Sequence, residues 1–90
     1  NRNMEFKWDD KKAKSNLQKH GIDFRDAFAV FFDPYRIETE DETSDEERYR
    51  VIGTVYGRIL FVDYTWREDV VRIISASKAT YDEREQYYSN

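Results

Sequence analysis

Three strand-like runs in close succession constrain this chain more than any other feature. They span 48–55, 59–66 and 70–77. The first alternates, with Tyr49, Val51 and Gly53 on one side. The second is aromatic and β-branched, a composition that suits a pleated, half-buried surface. Tyr56-Gly57 reads as a tight turn between them, and Arg67-Glu68-Asp69 turns the chain again before Val70. Short turns join antiparallel neighbours, so the three runs predict a meander.

The first half of the chain carries helix signals. Glu5-Phe6-Lys7-Trp8 alternates polar and apolar and predicts a short opening strand. Asp9 can cap a helix that runs to about His20, where Gly21 is placed to end it in a left-handed conformation. Asp23 can cap a second helix over 23–33, whose Phe24, Ala27, Phe28, Val30 and Phe31 form a broad apolar face. Asp33-Pro34 stops it, and 35–39 reads as a strand. Thr80 and Glu83 have capping-box spacing, opening a final helix that ends near Tyr88. The expected fold is α+β: an antiparallel sheet of about four strands, two N-terminal helices on one face and a short C-terminal helix. Residues 4–90 are expected to form one small domain, and 1–3 to be a cloning remnant. Its core must rest largely on rings, since the chain holds seven Tyr, six Phe and two Trp.

Charge and cysteine usage narrow the function classes. With no cysteine there is no disulfide and no thiolate metal site. No apolar run approaches a membrane span and no signal-peptide pattern is visible, so a cytoplasmic location is expected and no membrane partner. The net charge of −4 argues against a nucleic-acid partner until its distribution is considered. Residues 38–47 hold seven acids and no base. The remainder has twelve acids against fifteen bases. The acidic run reads as a solvated loop or as a decoy for basic groups, whether on a partner or on the protein's own site.

His20 is the lone histidine, at the end of a basic helix. Lys12, Asn16 and His20 follow at i, i+4 and i+8 and share one helix stripe. His20 can transfer protons near neutral pH, or simply serve the last carbonyls of its helix. A metal set of His20, Asp63 and Asp69 is disfavoured by the single histidine and the scattered acids, so no metal or cofactor is expected.

An ordered set of residues resembles the BrnT family of type II toxin–antitoxin toxins. It comprises Trp8-Asp9, Lys12, Asn16, Lys19-His20-Gly21-Ile22, Phe24, Phe31, Asp33-Pro34, Glu47-Arg48, Ile52-Gly53 and Gly57-Arg58. It continues through Arg72-Ile73-Ile74-Ser75-Ala76, Ala79-Thr80, Glu83-Arg84 and Tyr87. The resemblance implies a RelE-like fold, metal-free cleavage of RNA, and neutralisation by a ribbon-helix-helix antitoxin of the BrnA kind in a 2:2 complex. It also implies that operator DNA is bound through the antitoxin. One position departs: Ser77 stands where the family carries arginine. A guanidinium holds phosphate through two parallel donors, and a serine offers one neutral hydroxyl.

Such a ribonuclease must deprotonate a 2′-hydroxyl, neutralise a phosphorane and protonate the leaving 5′-oxygen. The candidate catalytic residues are His20, Glu47, Arg58, Ser77 and Lys78, with Lys12, Lys19, Arg48 and Arg72 binding RNA. Tyr64 or Trp66 is expected to stack an unpaired base, and Tyr87 and Tyr88 to contact the antitoxin. Each candidate has a plainer alternative: Lys12 and Lys19 as surface lysines, Glu47 as the tail of the loop, Arg72 as a partner of a carboxylate. The nuclease reading expects His20, Arg58, Lys78 and Ser77 to converge within about 10 Å. Scatter favours a catalytically impaired homologue that binds antitoxin or co-represses an operon. A further alternative is a protein-interaction domain that uses its acidic loop.

Overall fold

The chain forms, in order, β1 (Glu5–Lys7), α1 (Asp10–His20), α2 (Phe24–Ala27), a 3₁₀ turn (Phe28–Phe32), β2 (Ile37–Glu40), β3 (Tyr49–Val55), β4 (Arg58–Arg67), β5 (Val70–Lys78) and α3 (Tyr81–Tyr88). The computed structural model describes residues 4–43 and 45–89, so residues 1–3 lie outside the described part. β3, β4 and β5 make the expected antiparallel meander. The sheet differs from expectation in having five strands, ordered β1-β5-β4-β3-β2, and in being mixed. β1 pairs parallel with β5, Glu5 opposite Val70 and Lys7 opposite Arg72. Its partner lies more than sixty residues away in sequence, and alternation alone does not name a partner. β2 takes up the first part of the acidic run, so Glu38 and Glu40 belong to a strand and not to a loop.

The sheet has two differently dressed faces. On the inner face, Val51, Leu60, Val62, Tyr64, Val71, Ile73 and Ala76 pack against Ile22, Phe24, Ala27, Val30 and Phe31. On the outer face, α3 covers a smaller cluster of Ile52, Ile59 and Ala79, with Phe61 and Tyr87 against it. Each fully buried aliphatic or aromatic side chain stabilises the fold by about 1.5–3 kcal/mol.

The expected single helix over 23–33 breaks after Ala27. The tighter winding sets Phe28 and Phe31 one above the other, i and i+3. Both rings then meet Phe6 of β1, at centroid distances of 5.1 and 5.4 Å. The turn also presses on β3: a side chain at Gly53 would meet Val30 Cγ2 at 2.5 Å. Only glycine admits that approach.

Two polar anchors lock the helices to the sheet. Asn16 is 6% exposed. Its Nδ2 donates to the carbonyls of Ala76 (2.8 Å) and Ile22 (3.0 Å), and its Oδ1 accepts from the N–H of Ala76 (3.1 Å). Asp33, also buried, accepts from the N–H of Tyr35 and Thr54 and from the Tyr87 hydroxyl at 2.6 Å. Burial alone would raise the Asp33 pKa. The three hydrogen bonds and the nearby Arg36 charge outweigh it and hold the carboxyl below its ordinary value.

Asn16→Ala strands a buried N–H and two buried carbonyls, so urea unfolding should show a loss of about 3 kcal/mol. Asp33 has a depressed folded pKa, so its stabilisation is present above the ordinary carboxylate value and is lost as pH falls through the folded one. Asp33→Asn should therefore lower the melting temperature at neutral pH, and the gap should close in acid.

Candidate active site

β5 does not alternate regularly. Asp63 faces Ser75 and Tyr64 faces Ile73, so Ile74 is an extra residue in a bulge. The bulge reverses which parity points outward. Val71, Ile73 and Ala76 face the inner core, while Arg72, Ser75 and Ser77 share the outer face.

The outer face is built in rows across the strands. Arg72 pairs with Thr65, and Arg48 precedes the Tyr49–Tyr64 pair by one residue, so Arg48, Thr65 and Arg72 form one row. Two strand spacings separate the arginine Cα atoms, about 10 Å. Arg50, Asp63 and Ser75 form the next row, and Ile52, Phe61 and Ser77 the one after. A cleft of about 560 Å³ opens over the first row. It is lined by Lys12, Glu46, Glu47, Arg48, Trp66, Arg67 and Arg72 among others. Lys12 reaches it because Asn16, one turn further along α1, is tied to the edge of β5.

Several local features shape this cleft electrostatically. The Nε of Arg48 is buried and has no hydrogen-bond partner among the described residues. Asp63, half-buried in the next row, accepts from the Ser75 hydroxyl at 3.1 Å. Burial pushes its carboxyl above the ordinary range, against the pull of Ser75 and of the Arg50 and Arg48 charges. Arg50 pairs with Asp41 of the acidic run at 3.2 Å and lies 5.9 Å from the Phe61 ring centroid. Four basic side chains thus share a hollow with two glutamates, in a chain whose overall charge is negative.

Of the candidates named from sequence, Lys12, Glu47, Arg48 and Arg72 come together here, with Trp66 beside them. Arg58 and Lys78 also come together, but in a second cleft of about 280 Å³ with Arg84 and Tyr88. That cleft lies at the other end of β4, six residues or about 20 Å away. His20, at the exposed C-terminal turn of α1, lines neither cleft, and the same holds for Lys19 and Ser77. Gly21 adopts the expected left-handed φ of 71° after His20, and its N–H donates to the carbonyl of Leu17. The expectation of base stacking on Tyr64 does not hold. Tyr64 is 1% exposed, its hydroxyl donates to Glu38 (2.7 Å), and its ring lies between Phe31 and Tyr49. Tyr87 is a structural anchor through Asp33, whereas Tyr88 is exposed.

Sequence reasoning missed Arg67, Arg84 and the buried role of Asp63. In sequence Arg67 opens the turn-like triplet Arg67-Glu68-Asp69, and in the structure it is the last residue of β4. Asp63 gave no local signal, since its burial is created by neighbours on β3 and β5. Among the described residues, no three of His, Asp and Glu are grouped to hold a metal ion, and no helix is long and apolar enough to cross a membrane.

Residues 8–83 match the family described as the ribonuclease toxin, BrnT, of type II toxin-antitoxin systems. No curated protein matches the chain.

The raised Asp63 pKa has a measurable consequence. The folded state keeps that proton to higher pH than the unfolded chain, so stability falls as pH rises from the ordinary carboxylate value through the raised one, then levels. Asp63→Asn removes this titration. Its urea midpoint relative to the parent should be higher at about pH 7 than at about pH 4.

Proposed function

Because the chain belongs to the BrnT family of ribonuclease toxins of type II toxin–antitoxin systems, we propose that it cuts RNA without a metal ion in the cleft over Arg48 and Arg72. The observation that carries this reading is the gathering of Lys12, Arg48, Arg67 and Arg72 in one cleft with Glu46 and Glu47, in a chain of net charge −4. RNA brings its own nucleophile, the 2′-hydroxyl beside each phosphate. Glu47 accepts that proton as the oxygen attacks phosphorus. Arg48 and Arg72, on either side of Thr65, hold the phosphate oxygens as negative charge grows on them. Lys12 protonates the departing 5′-oxygen, leaving a 2′,3′-cyclic phosphate and a free 5′-hydroxyl. Proton transfer of this kind contributes about 10²–10⁴-fold, and each fixed donor to the developing charge about 10²–10³-fold. Trp66 in the cleft wall offers a ring face for an unpaired base.

Membership in a type II toxin family implies an antitoxin partner. We assign that partner to the ribbon-helix-helix, BrnA-like class, in a 2:2 complex that reaches operator DNA through the antitoxin. Ser77 supports a second reading, a catalytically impaired toxin that retains antitoxin binding or co-represses an operon. It sits on the outer face beside Phe61, two rows from Arg72, where the family arginine would add a cation.

Purified protein mixed with single-stranded RNA in EDTA tests both readings. Cleavage should persist in EDTA and fall at least about 100-fold with Arg72→Ala. Ser77→Arg should raise the rate. Intact RNA with both the parent protein and Ser77→Arg, together with tight antitoxin binding, selects the impaired homologue.

A further inference from the structure

Arg58, Lys78 and Arg84 come from three different elements, the start of β4, the end of β5 and α3, and meet over a floor of Gly57, Ile59 and Ala79. The N–H of Ala79 donates to the carbonyl of Ile59, which closes the floor. Three arginines outside the two clefts are paired with acids: Arg25 with Asp23, Arg36 with Glu38, Arg50 with Asp41. None of these three cations has such a partner among the described residues. Two nearby acids of α3 are engaged in other bonds. Glu83 accepts from the N–H of Thr80 in the capping box, and Glu85 accepts from the Tyr81 hydroxyl. Three like charges are thus gathered with no ion pair between any of them and an acid among the described residues, an arrangement that favours an anionic ligand.

We propose that this cleft is a second phosphate-binding subsite, which holds the sugar-phosphate backbone of an RNA strand away from the bond being cut. The inference rests on the ribonuclease reading of the first cleft. The two clefts lie at opposite ends of β4, about 20 Å apart. Ser75 and Ser77 of β5 lie between them on the outer face and are both half-exposed. A single anion cannot bridge that distance, and a strand of several nucleotides can. Tyr88, 71% exposed on the rim, offers a ring to a base next to the held phosphate.

The test uses fluorescein-labelled, fully 2′-O-methylated RNA, which binds and cannot be cut, as a 20-mer and as a trinucleotide. Affinities are measured across a salt series for the parent protein, R58Q/R84Q and R72A. The exchanged side chains of R58Q/R84Q are exposed, and an unchanged melting temperature confirms the fold. The parent should prefer the 20-mer. R58Q/R84Q should weaken 20-mer binding at least about tenfold, shrink its advantage over the trinucleotide toward one, and reduce the salt slope by about 1.4. R72A should weaken both lengths.

A length advantage and salt slope that R58Q/R84Q leaves unchanged would overturn the subsite. So would intact RNA binding combined with weakened antitoxin binding, which assigns the cleft to the protein partner. An R72A variant that binds both lengths normally, while R58Q/R84Q loses the long one, supports the subsite and removes the first cleft from the ribonuclease reading.

Discussion

The side-chain amide of Asn16 does the work of a missing strand. β1 covers only Val70 to Arg72 of β5, and beyond it the edge of β5 would face the interior with unmet backbone groups. Asn16 offers a donor and an acceptor to the same residue, Ala76, as a neighbouring strand would. Its other donor bond, to Ile22, ties the segment between α1 and α2 to the same point. The axis of α1, the path into the core helices and the placement of Lys12 beside Arg72 all follow from this one residue. Because it is buried, no water can substitute, and the geometry is held tightly.

The bulge at Ile74 is the second constraint on function. It lets one strand feed two demands, hydrophobic core on one side and a chemical surface on the other, although its sequence alternates for neither throughout. Bulges gather beside active sites because they re-aim side chains without disturbing the sheet. Here the strand turns both Arg72 and the serines outward while Val71, Ile73 and Ala76 remain inward. The arrangement puts charge on the outer face at the end α3 leaves open, and apolar contacts under α3 itself.

Local chemistry was legible in the sequence, and non-local pairing was not. The Asp9 and Asp23 caps, Gly21 and the Thr80–Glu83 capping box all stand as read, because each depends on atoms within a few residues. The parallel pairing of β1 and the break at Phe28 depend on partners far along the chain. The candidate residues divide along the same line. Lys12, Glu47, Arg48 and Arg72 form one group, Arg58 and Lys78 another. Two short turns already imply that division, since in a meander residue 58 lies beside 55 and residue 67 beside 70, at opposite ends of β4. His20, the lone histidine, is the exposed last residue of α1 and lines neither cleft.

α3 holds on with little. No described residue of it is buried, and it is fastened through Tyr87, the neighbouring Ala79 and a hydroxyl bond to Asp33. Segments with so few interior contacts exchange their amide hydrogens early, opening as separate cooperative units while the rest stays folded. Arg84 and Tyr88 ride on this helix, so half of the second cleft exists only while the helix is docked. By mass action, any anion that bridges Arg84 to Arg58 and Lys78 also clamps the helix, and slowed hydrogen exchange in α3 becomes a gauge of occupancy at that end of the sheet.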